Sequence, residues 1–276
     1  MTLRDALRAG EERLARAQDA DARPDATWML CDVTGLSRAQ MLLAAGEALT
    51  PEQEARYEAM LTRREAGEPL QYVLGTQDFM GHTFRVDARV LIPRADTEAL
   101  CEEAVARTRD EDAVLDIGTG SGALAVSIAL ARPKAHVTAV DVSVDALCVA
   151  RENARALGVD VRMAQSDLFA ALPGERFDVI VSNPPYIETG ELEGLQREVR
   201  REPRLALDGG ADGLDFYRRI VRELPAHLMP GGTALFEVGY GQAPAVAALL
   251  KQTVGEPFVR RDLCGVERVV GAVYTK

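Results

Sequence analysis

From residue 113 onward the chain alternates short apolar strands with helices, and this alternation limits its possible folds more than any other feature. The strands "AVLDI" (113–117), "HVTAV" (136–140) and "VDVRM" (159–163) are separated by helical stretches. "FDVIVS" (177–182) is a further strand, and the turn "MPGG" (229–232) is expected before the strand "TALFEV" (233–238). Parallel strands joined by helices form a sheet that is covered on both faces, which predicts an α/β fold. The final strands, "PFVRRDL" (257–263) and "ERVVGAVY" (267–274), have no helix between them, so we expect an antiparallel hairpin.

The residues before this region indicate a separate small domain. Residues 1–72 contain only helical patterns, with capping-box signatures at Ser37 and Thr50, and Trp28 among the residues expected in its core. Residues 73–92 change to alternating apolar and polar positions with Gly punctuation, which predicts a β-hairpin linker. Residues 93–276 then form the α/β domain.

Charge and composition exclude several classes of protein. The net charge of -11 disfavours non-specific contact with a nucleic-acid backbone and permits a basic protein partner. The N-terminus has no apolar core of a signal peptide, and no apolar run is long enough to cross a bilayer. The 4 cysteines lie far apart, as reduced thiols without a metal role. We therefore expect a cytoplasmic protein with no membrane association.

A glycine-rich turn between a strand and a helix predicts a nucleoside site. In "LDIGTGSGALA" the turn runs through Gly118, Thr119, Gly120, Ser121 and Gly122. Glycines let the backbone approach a ligand closely at a helix N-terminus. Asp141 ends the next strand, where its carboxylate can accept hydrogen bonds from both ribose hydroxyls.

Acidic residues around this turn favour S-adenosylmethionine over NAD. Asp116 precedes the turn and would repel a diphosphate while suiting a cationic ligand, and the spacing is not that of the dinucleotide fingerprint. Asp167, in "QSDLF", follows the third strand and is placed to accept from an adenine amino group, although a helix cap is the alternative interpretation.

The motif Asn183-Pro184-Pro185-Tyr186 ends the strand "FDVIVS" and predicts the acceptor site. This strand should lie beside the first one, where the strand order reverses and ligands bind. The Asn183 side-chain oxygen and the Pro184 carbonyl can accept both hydrogens of a planar NH₂ group. Tyr186 can stack on that plane, and the prolines make the loop rigid.

Together these segments resemble the release-factor glutamine N5-methyltransferases. The resemblance extends over almost the whole chain through "IPRADTEAL", "SNPPYI", "EPRLALDGGADGLDFYRRI", "FEVGYGQ" and "DLCGVERVV". It implies a seven-stranded, doubly wound, mostly parallel methyltransferase sheet with a C-terminal antiparallel hairpin, plus an N-terminal helical bundle for substrate docking. It also implies methylation of the glutamine in the Gly-Gly-Gln motif of class I peptide-chain release factors, with S-adenosylhomocysteine as product.

The resemblance assigns the individual site residues. Gly118 to Gly122 and Asp141 bind the cofactor, Leu168 lies against the adenine, and Asn183 to Tyr186 hold the substrate glutamine. Phe79 matches an aromatic residue near the substrate amide. The family usually has a proline at the position of Ala95 and an aromatic at that of Met80, which affects local packing only.

Other functions remain open from the sequence. An adenine-N6 nucleic-acid methyltransferase uses a similar loop, because an adenine amino group poses the same chemical problem, but it needs a basic face and base flipping. A catalytically silent cofactor-binding scaffold and an NAD-dependent oxidoreductase are further alternatives. We expect a monomer that methylates protein and does not bind nucleic acid directly.

Overall fold

The computed structural model describes residues 1–262 and 264–275 and divides the chain into two compact units. The first contains residues 1–75 together with 196–201, and the second contains residues 76–195 and 202–276. The sequence-based boundaries at 72 and 92 differ from this division. The predicted hairpin linker lies mostly in the second unit, and a short internal segment groups with the first.

The first unit is a bundle of short helices. They are α1 (Leu3–Arg16), α2 (Ala22–Thr34), α3 (Arg38–Leu43), α4 (Pro51–Glu65) and α5 (Leu70–Leu74). Both predicted capping boxes are confirmed, at Ser37 and Thr50. Met29 and Leu30 are fully buried, as expected. The prediction for Trp28 was wrong: it is 44% exposed, because it lies at the surface of α2 beneath the guanidinium of Arg38, whose Cζ is 4.1 Å from the ring centroid.

A buried cation holds the internal segment within this first unit. Arg64 Nε donates to Asp25 Oδ2 at 2.6 Å, while its terminal nitrogens reach Asp19 Oδ1 at 3.0 Å and Glu198 Oε1 at 2.9 Å. Only 7% of the Arg64 side chain is exposed. A charge removed from water in this way needs these partners, so α4 and residues 196–201 depend on each other.

The second unit is built on a seven-stranded sheet in the order β5-β4-β3-β6-β7-β9-β8. Its first six elements are the hairpin β1 (Thr76–Phe79) and β2 (His82–Arg85), α6 (Ala95–Arg107), β3 (Ala113–Ile117), α7 (Ala123–Ala131) and β4 (His136–Asp141). There follow α8 (Val144–Leu157), β5 (Arg162–Gln165), β6 (Phe177–Ser182), α9 (Asp215–His227), β7 (Leu228–Glu237), α10 (Ala243–Thr253), β8 (Pro257–Arg261) and β9 (Glu267–Val273).

The predicted topology is confirmed. β6 pairs with β3 in parallel, while β9 runs antiparallel to both β7 and β8. Apolar side chains fill both faces of the sheet, so its central strands β3, β4 and β6 are buried over most of their length. Polar residues at or next to the carboxyl ends of β3, β4, β6 and β7 therefore gather along one edge, where the strand order reverses.

Three boundaries differ from the sequence-based prediction. β5 begins at Arg162 rather than at residue 159. The segment "MPGG" does not precede β7 as a turn. It belongs to that strand, and a register shift against β6 between Phe177 and Val179 accommodates it. The predicted strand 257–263 ends at Arg261, and Leu263 lies outside the described residues. Within the described residues, no helix is both long and apolar enough to cross a membrane.

Candidate active site

A cavity opens at the carboxyl ends of β3, β4 and β6. It contains about 840 Å³ of empty space, open solvent at its mouth included. Apolar residues form most of its walls, including Leu91, Ala146, Phe216 and Ile220. The predicted site residues on its wall are Gly118, Gly120, Asp141, Asp167, Leu168, Asn183, Pro184 and Pro185.

The three glycines of the turn serve two different purposes. Gly118 and Gly120 have φ values of +75° and +55°, and a Cβ on either would meet no protein atom within 4 Å. They therefore leave space for a ligand at the cavity wall. Gly122 has φ +82°, and a Cβ there would lie 3.1 Å from Cβ of Ala150 in α8. Its role is the close packing of two helices behind the cavity.

Four backbone amides of the turn donate hydrogen bonds to oxygen atoms of the protein itself. Gly118 and Thr119 both donate to the Val140 carbonyl, at 2.8 and 3.0 Å, and Gly122 donates to Thr119 at 2.8 Å. Gly120 donates to the Asp141 side chain at 2.9 Å. A diphosphate site needs free N–H groups that point at the anion. With these amides already engaged, the turn suits a nucleoside without phosphates.

Asp141 is fixed in place by the backbone around it. Its Oδ2 accepts from Gly120, and its Oδ1 accepts from the Ser143 amide at 2.8 Å. Burial raises the pKa of Asp141, and these two hydrogen bonds oppose that increase. The carboxylate is thus held rigidly at the cavity wall, with lone pairs left for hydroxyl donors.

Asp116 lies deeper than the sequence analysis expected. It is fully buried and is not among the cavity-lining residues, and its Oδ2 accepts from the Thr119 hydroxyl at 2.6 Å. Its Oδ1 has no hydrogen-bond partner among the described residues. Burial, with a smaller effect of the Asp141 charge, raises the pKa of Asp116 to about 7. Thr119 and Ser121 are also buried, so these three residues support the turn from behind.

The segment after β5 presents Asp167 and Leu168 to the cavity. The Asp167 carboxylate accepts from Arg219 at 2.8 Å through both oxygens, and more than half of its side chain is exposed. Leu168 has φ +52°, an unusual value for a branched residue, and its carbonyl accepts from the Ser166 hydroxyl at 2.7 Å. Strained backbone of this kind is characteristic of binding sites, where the surrounding structure holds it in place.

Asn183 follows β6 and has a defined side-chain orientation. Its Nδ2 donates to the Thr97 hydroxyl oxygen of α6 at 3.2 Å. The amide nitrogen is thereby engaged with the protein, which leaves Oδ1 as the free acceptor at the cavity wall. Pro184 and Pro185 continue the wall.

Tyr186 is placed differently from its neighbours in the motif. Its ring packs against the apolar core and is not among the residues that line the cavity. Its hydroxyl donates to Glu237 Oε1 over 3.5 Å. Burial, and then the Glu237 carboxylate, raise the pKa of the Tyr186 hydroxyl. In this structure the ring lies behind the loop, and its stacking on the acceptor stays a prediction.

A set of glycines, which the sequence analysis quoted only as part of the resemblance, surrounds Tyr186. A Cβ on Gly209 would lie 2.7 Å from Tyr186 Cα, and one on Gly213 would lie 2.4 Å from the Tyr186 carbonyl oxygen. On Gly239 it would lie 3.0 Å from the ring. The segments "DGGADG" and "EVGYGQ" thus fit closely around the loop. Closely spaced glycines in two loops are the sequence signal that could have indicated this close backbone packing.

Phe79 is not brought to the cavity. It is 1% exposed and packs edge-on against Phe84, with ring centroids 6.1 Å apart. The alternating pattern of the hairpin directs both rings into the core on one side of the sheet.

Conversely, sequence reasoning missed Thr97 and Glu237 near the loop. Glu237 ends an apolar strand just as Asp141 does, and the same rule would have found it.

The donor set of the cavity fits S-adenosylmethionine. Carboxylates and an amide oxygen line it, and its one lining cation among the described residues, Arg89, is already paired with Asp87 at 2.6 Å. Such a site attracts an ammonium or sulfonium group and repels phosphates. Among the described residues no cluster could hold a metal ion. This sheet order and this site define the class of S-adenosylmethionine-dependent methyltransferases.

Comparisons with known proteins identify the family. Residues 5–75 match the model of the PrmC N-terminal domain, and residues 95–202 match that of the methyltransferase small domain. A release factor glutamine methyltransferase of Geobacter sulfurreducens is 46% identical over 98% of this chain and 96% of its own. A protein of the same name from Cereibacter sphaeroides is 46% identical over 99% of this chain and 98% of its own. The chain belongs to the release factor glutamine methyltransferase family.

The fold also has relatives among solved structures. A methyltransferase from Pyrococcus furiosus superimposes with a TM-score of 0.54 at 18% identity, over 82% of this chain and 100% of that one. At this identity the likeness concerns the fold alone.

Proposed function

We propose that this protein transfers a methyl group from S-adenosylmethionine to the side-chain amide nitrogen of the glutamine in the Gly-Gly-Gln motif of class I release factors. The observation that carries the proposal is the fixed orientation of Asn183, whose nitrogen donates to Thr97 while its oxygen remains available at the cavity wall. An acceptor oxygen placed there suits an incoming NH₂ group. The full-length relatives bear the name of this activity.

Four residues would hold the methyl donor. Asp141 accepts from the ribose hydroxyls, Gly118 and Gly120 leave room for the ligand, and Asp167 accepts from the adenine amino group. When bound, S-adenosylmethionine supplies an electrophilic methyl group, and the overall reaction exchanges one N–H of the amide for N–CH₃, leaving S-adenosylhomocysteine and a proton. The acidic lining stabilises a positively charged donor.

Asn183 and Pro184 orient the acceptor. An amide nitrogen is a poor nucleophile, because its lone pair is delocalised into the carbonyl group. Asn183 Oδ1 and the Pro184 carbonyl each accept one hydrogen of the substrate NH₂, which directs the nitrogen at the methyl group and stabilises its developing positive charge. The N-methylated cationic amide is a strong acid and releases its proton to water, so no histidine base is required.

The partner is a protein loop with a basic environment. The net charge of -11 favours encounter with an RNA-facing, basic substrate loop and disfavours nucleic acid itself. Glycines before the substrate glutamine let its backbone enter a narrow opening. We further propose that the enzyme acts as a cytoplasmic monomer and that its N-terminal bundle contributes to docking. Removing residues 1–75 should raise KM for whole release factor more than it lowers kcat.

Mass spectrometry of a purified class I release factor tests the activity. After incubation with this protein and S-adenosylmethionine, the peptide that contains Gly-Gly-Gln should gain one methyl group. The matched control is the same factor with that glutamine changed to glutamate, whose carboxylate would face the lone pairs of Asn183 and Pro184. Sites that depend on such donors discriminate by roughly 10⁴–10⁵. Methylation of the glutamate variant, or of duplex DNA at a comparable rate, would refute the proposal.

A further inference from the structure

A buried carboxylate lies behind the acceptor loop without touching the cavity. Glu237 ends β7 and is 1% exposed. The Tyr186 hydroxyl lies 3.5 Å from its Oε1, and the Thr97 and Asn183 side chains lie close enough to lower the pKa of Glu237 by hydrogen bonding. Its Oε2 has no hydrogen-bond partner among the described residues. A buried, incompletely satisfied carboxylate is costly to the fold, which calls for an explanation in function.

The hydrogen bonds of Thr97 have a defined direction. Its hydroxyl oxygen accepts from Asn183 Nδ2 at 3.2 Å, and its proton is therefore free to go to Glu237. An ionised carboxylate only accepts, so it fixes the direction of the whole chain of bonds. Asn183 must then keep its nitrogen inward and its oxygen outward. A reversed amide would present NH₂ to the substrate NH₂, where neither group could accept.

We propose that Glu237 is a positioning residue for methyl transfer, which both directly and through Thr97 holds the Asn183 amide with its oxygen toward the acceptor nitrogen. This inference rests on the proposed function, since the orientation matters only if the acceptor is an NH₂ group. The negative charge also strengthens Asn183 as an acceptor, because chains of hydrogen bonds polarise one another.

Protonation of Glu237 would reverse the direction of these hydrogen bonds. A protonated carboxyl donates to Thr97, whose own proton then turns to Asn183 and favours the opposite amide orientation. Burial raises the pKa of Glu237 to about 7, and Arg268 opposes this increase while Asp96 adds to it. Activity should therefore rise as the pH increases through about 7. The charged and titratable groups that face this carboxyl and its neighbours are Asp96 on α6, Arg94 before it, Tyr186 in the loop, Tyr217 on α9 and Arg268 on β9.

The experiment compares three variants with a matched control. Thr97→Val removes the hydroxyl at nearly constant volume, Thr97→Ser keeps it, and Glu237→Gln removes the charge. The control is Thr108→Val, which deletes another buried hydroxyl next to α6, bonded to the Ala104 carbonyl at 2.8 Å. We expect Thr97→Val to lower kcat about 10- to 100-fold at saturating substrates. Thr97→Ser and Thr108→Val should stay within about threefold of wild type, and Glu237→Gln should lose the rise in kcat near pH 7. S-adenosylhomocysteine affinity should be unchanged in all four.

A nuclear magnetic resonance measurement separates this inference from the proposed function. The Asn183 side-chain amide signal, assigned by its loss in Asn183→Asp, should be protected from solvent exchange in the wild type and in Thr97→Ser. It should lose protection in Thr97→Val. Failure of the wild type to methylate release factor would refute the function, while this signal would still test the hydrogen bonds. Wild-type kcat in Thr97→Val together with an unchanged rise of kcat near pH 7 in Glu237→Gln would overturn the role of Glu237, and so would an Asn183 signal that does not differ between wild type and Thr97→Val.

Discussion

The Gln242 side chain donates from Nε2 to the main-chain carbonyl of Tyr186 over 2.9 Å, while its Oε1 accepts from the Gly239 amide at 3.0 Å. Gln242, which directly precedes α10, thus connects the end of β7 to the acceptor loop. The loop contains two prolines and has few donors of its own, so its geometry depends on neighbours of this kind. The rigidity of the acceptor site is therefore distributed over elements far apart in sequence.

Replacement of Gln242 by methionine tests this connection. The change keeps the volume but leaves the Tyr186 carbonyl and the Gly239 amide without their partner. We expect a loss of about 1–3 kcal/mol in the free energy of unfolding, measured by urea denaturation, together with a lower kcat. Gln77→Met is the control, since the Gln77 side chain makes, within the described part of the chain, a single exposed hydrogen bond to the Asp78 carbonyl. Equal stability of the two variants would contradict the assigned role.

Asp141→Ala should weaken cofactor binding. It removes charge-assisted acceptors worth about 1.5–3 kcal/mol, which corresponds to roughly 10- to 150-fold in the dissociation constant of S-adenosylhomocysteine. Titration calorimetry measures this directly. Asp145→Ala, an exposed acid in the next helix, provides the matched control and should bind normally. Unchanged affinity in Asp141→Ala would exclude the ribose contact.

Asn183→Ala should act on turnover rather than on binding. Loss of one preorganised partner of the transition state lowers kcat by roughly 10²–10³. S-adenosylhomocysteine affinity should fall less than kcat, because the cavity has several other contacts for the cofactor. Single-turnover rates at saturating substrate provide the measurement. A rate close to wild type would mean that another group positions the acceptor.

The buried carboxyl group of Asp116 makes the stability of the folded protein decrease as the pH rises. Burial raises its pKa to about 7 in the folded protein, against an ordinary value of 3.8 for an aspartate. The folded state therefore binds more protons than the unfolded state between these values, and the stability of the cofactor-free protein should fall as the pH rises through this range. Asp116→Asn removes the buried charge while retaining an acceptor for Thr119. It should raise stability by about 1–4 kcal/mol at pH 8 and by much less at pH 4. Equal effects at both pH values in thermal unfolding would contradict the assignment.

The sheet was predictable because its signals are local. Strands such as 113–117 and 177–182 are short apolar runs separated by helical patterns, and their order follows from general rules of connection. The grouping of residues 196–201 with the bundle was not predictable, since it depends on Arg64 meeting Glu198 from a distant part of the chain. No local pattern indicates such a partner.

The sequence indicates the residues at the cavity wall better than those that lie behind it. Asp141 ends an apolar strand and Asn183 directly follows one, and such positions can be recognised from the sequence. The depth of Asp116, the burial of Phe79 and the position of Tyr186 depend on side-chain packing between elements. Thr97 lies within a helix, where an isolated hydroxyl resembles many others, and only its meeting with Asn183 makes it notable.

The engaged amides of the glycine turn have a consequence for competition inside a cell. Adenine nucleotides share the adenosine half of the methyl donor and are abundant wherever translation occurs. Their phosphates would meet a turn whose amides at Gly118, Thr119 and Gly120 already donate elsewhere, beside the Asp141 carboxylate. We expect the hydrogen bonds that fix the Asp141 carboxylate also to disfavour the binding of energy-carrying nucleotides, so that methylation does not depend on the energy state of the cell.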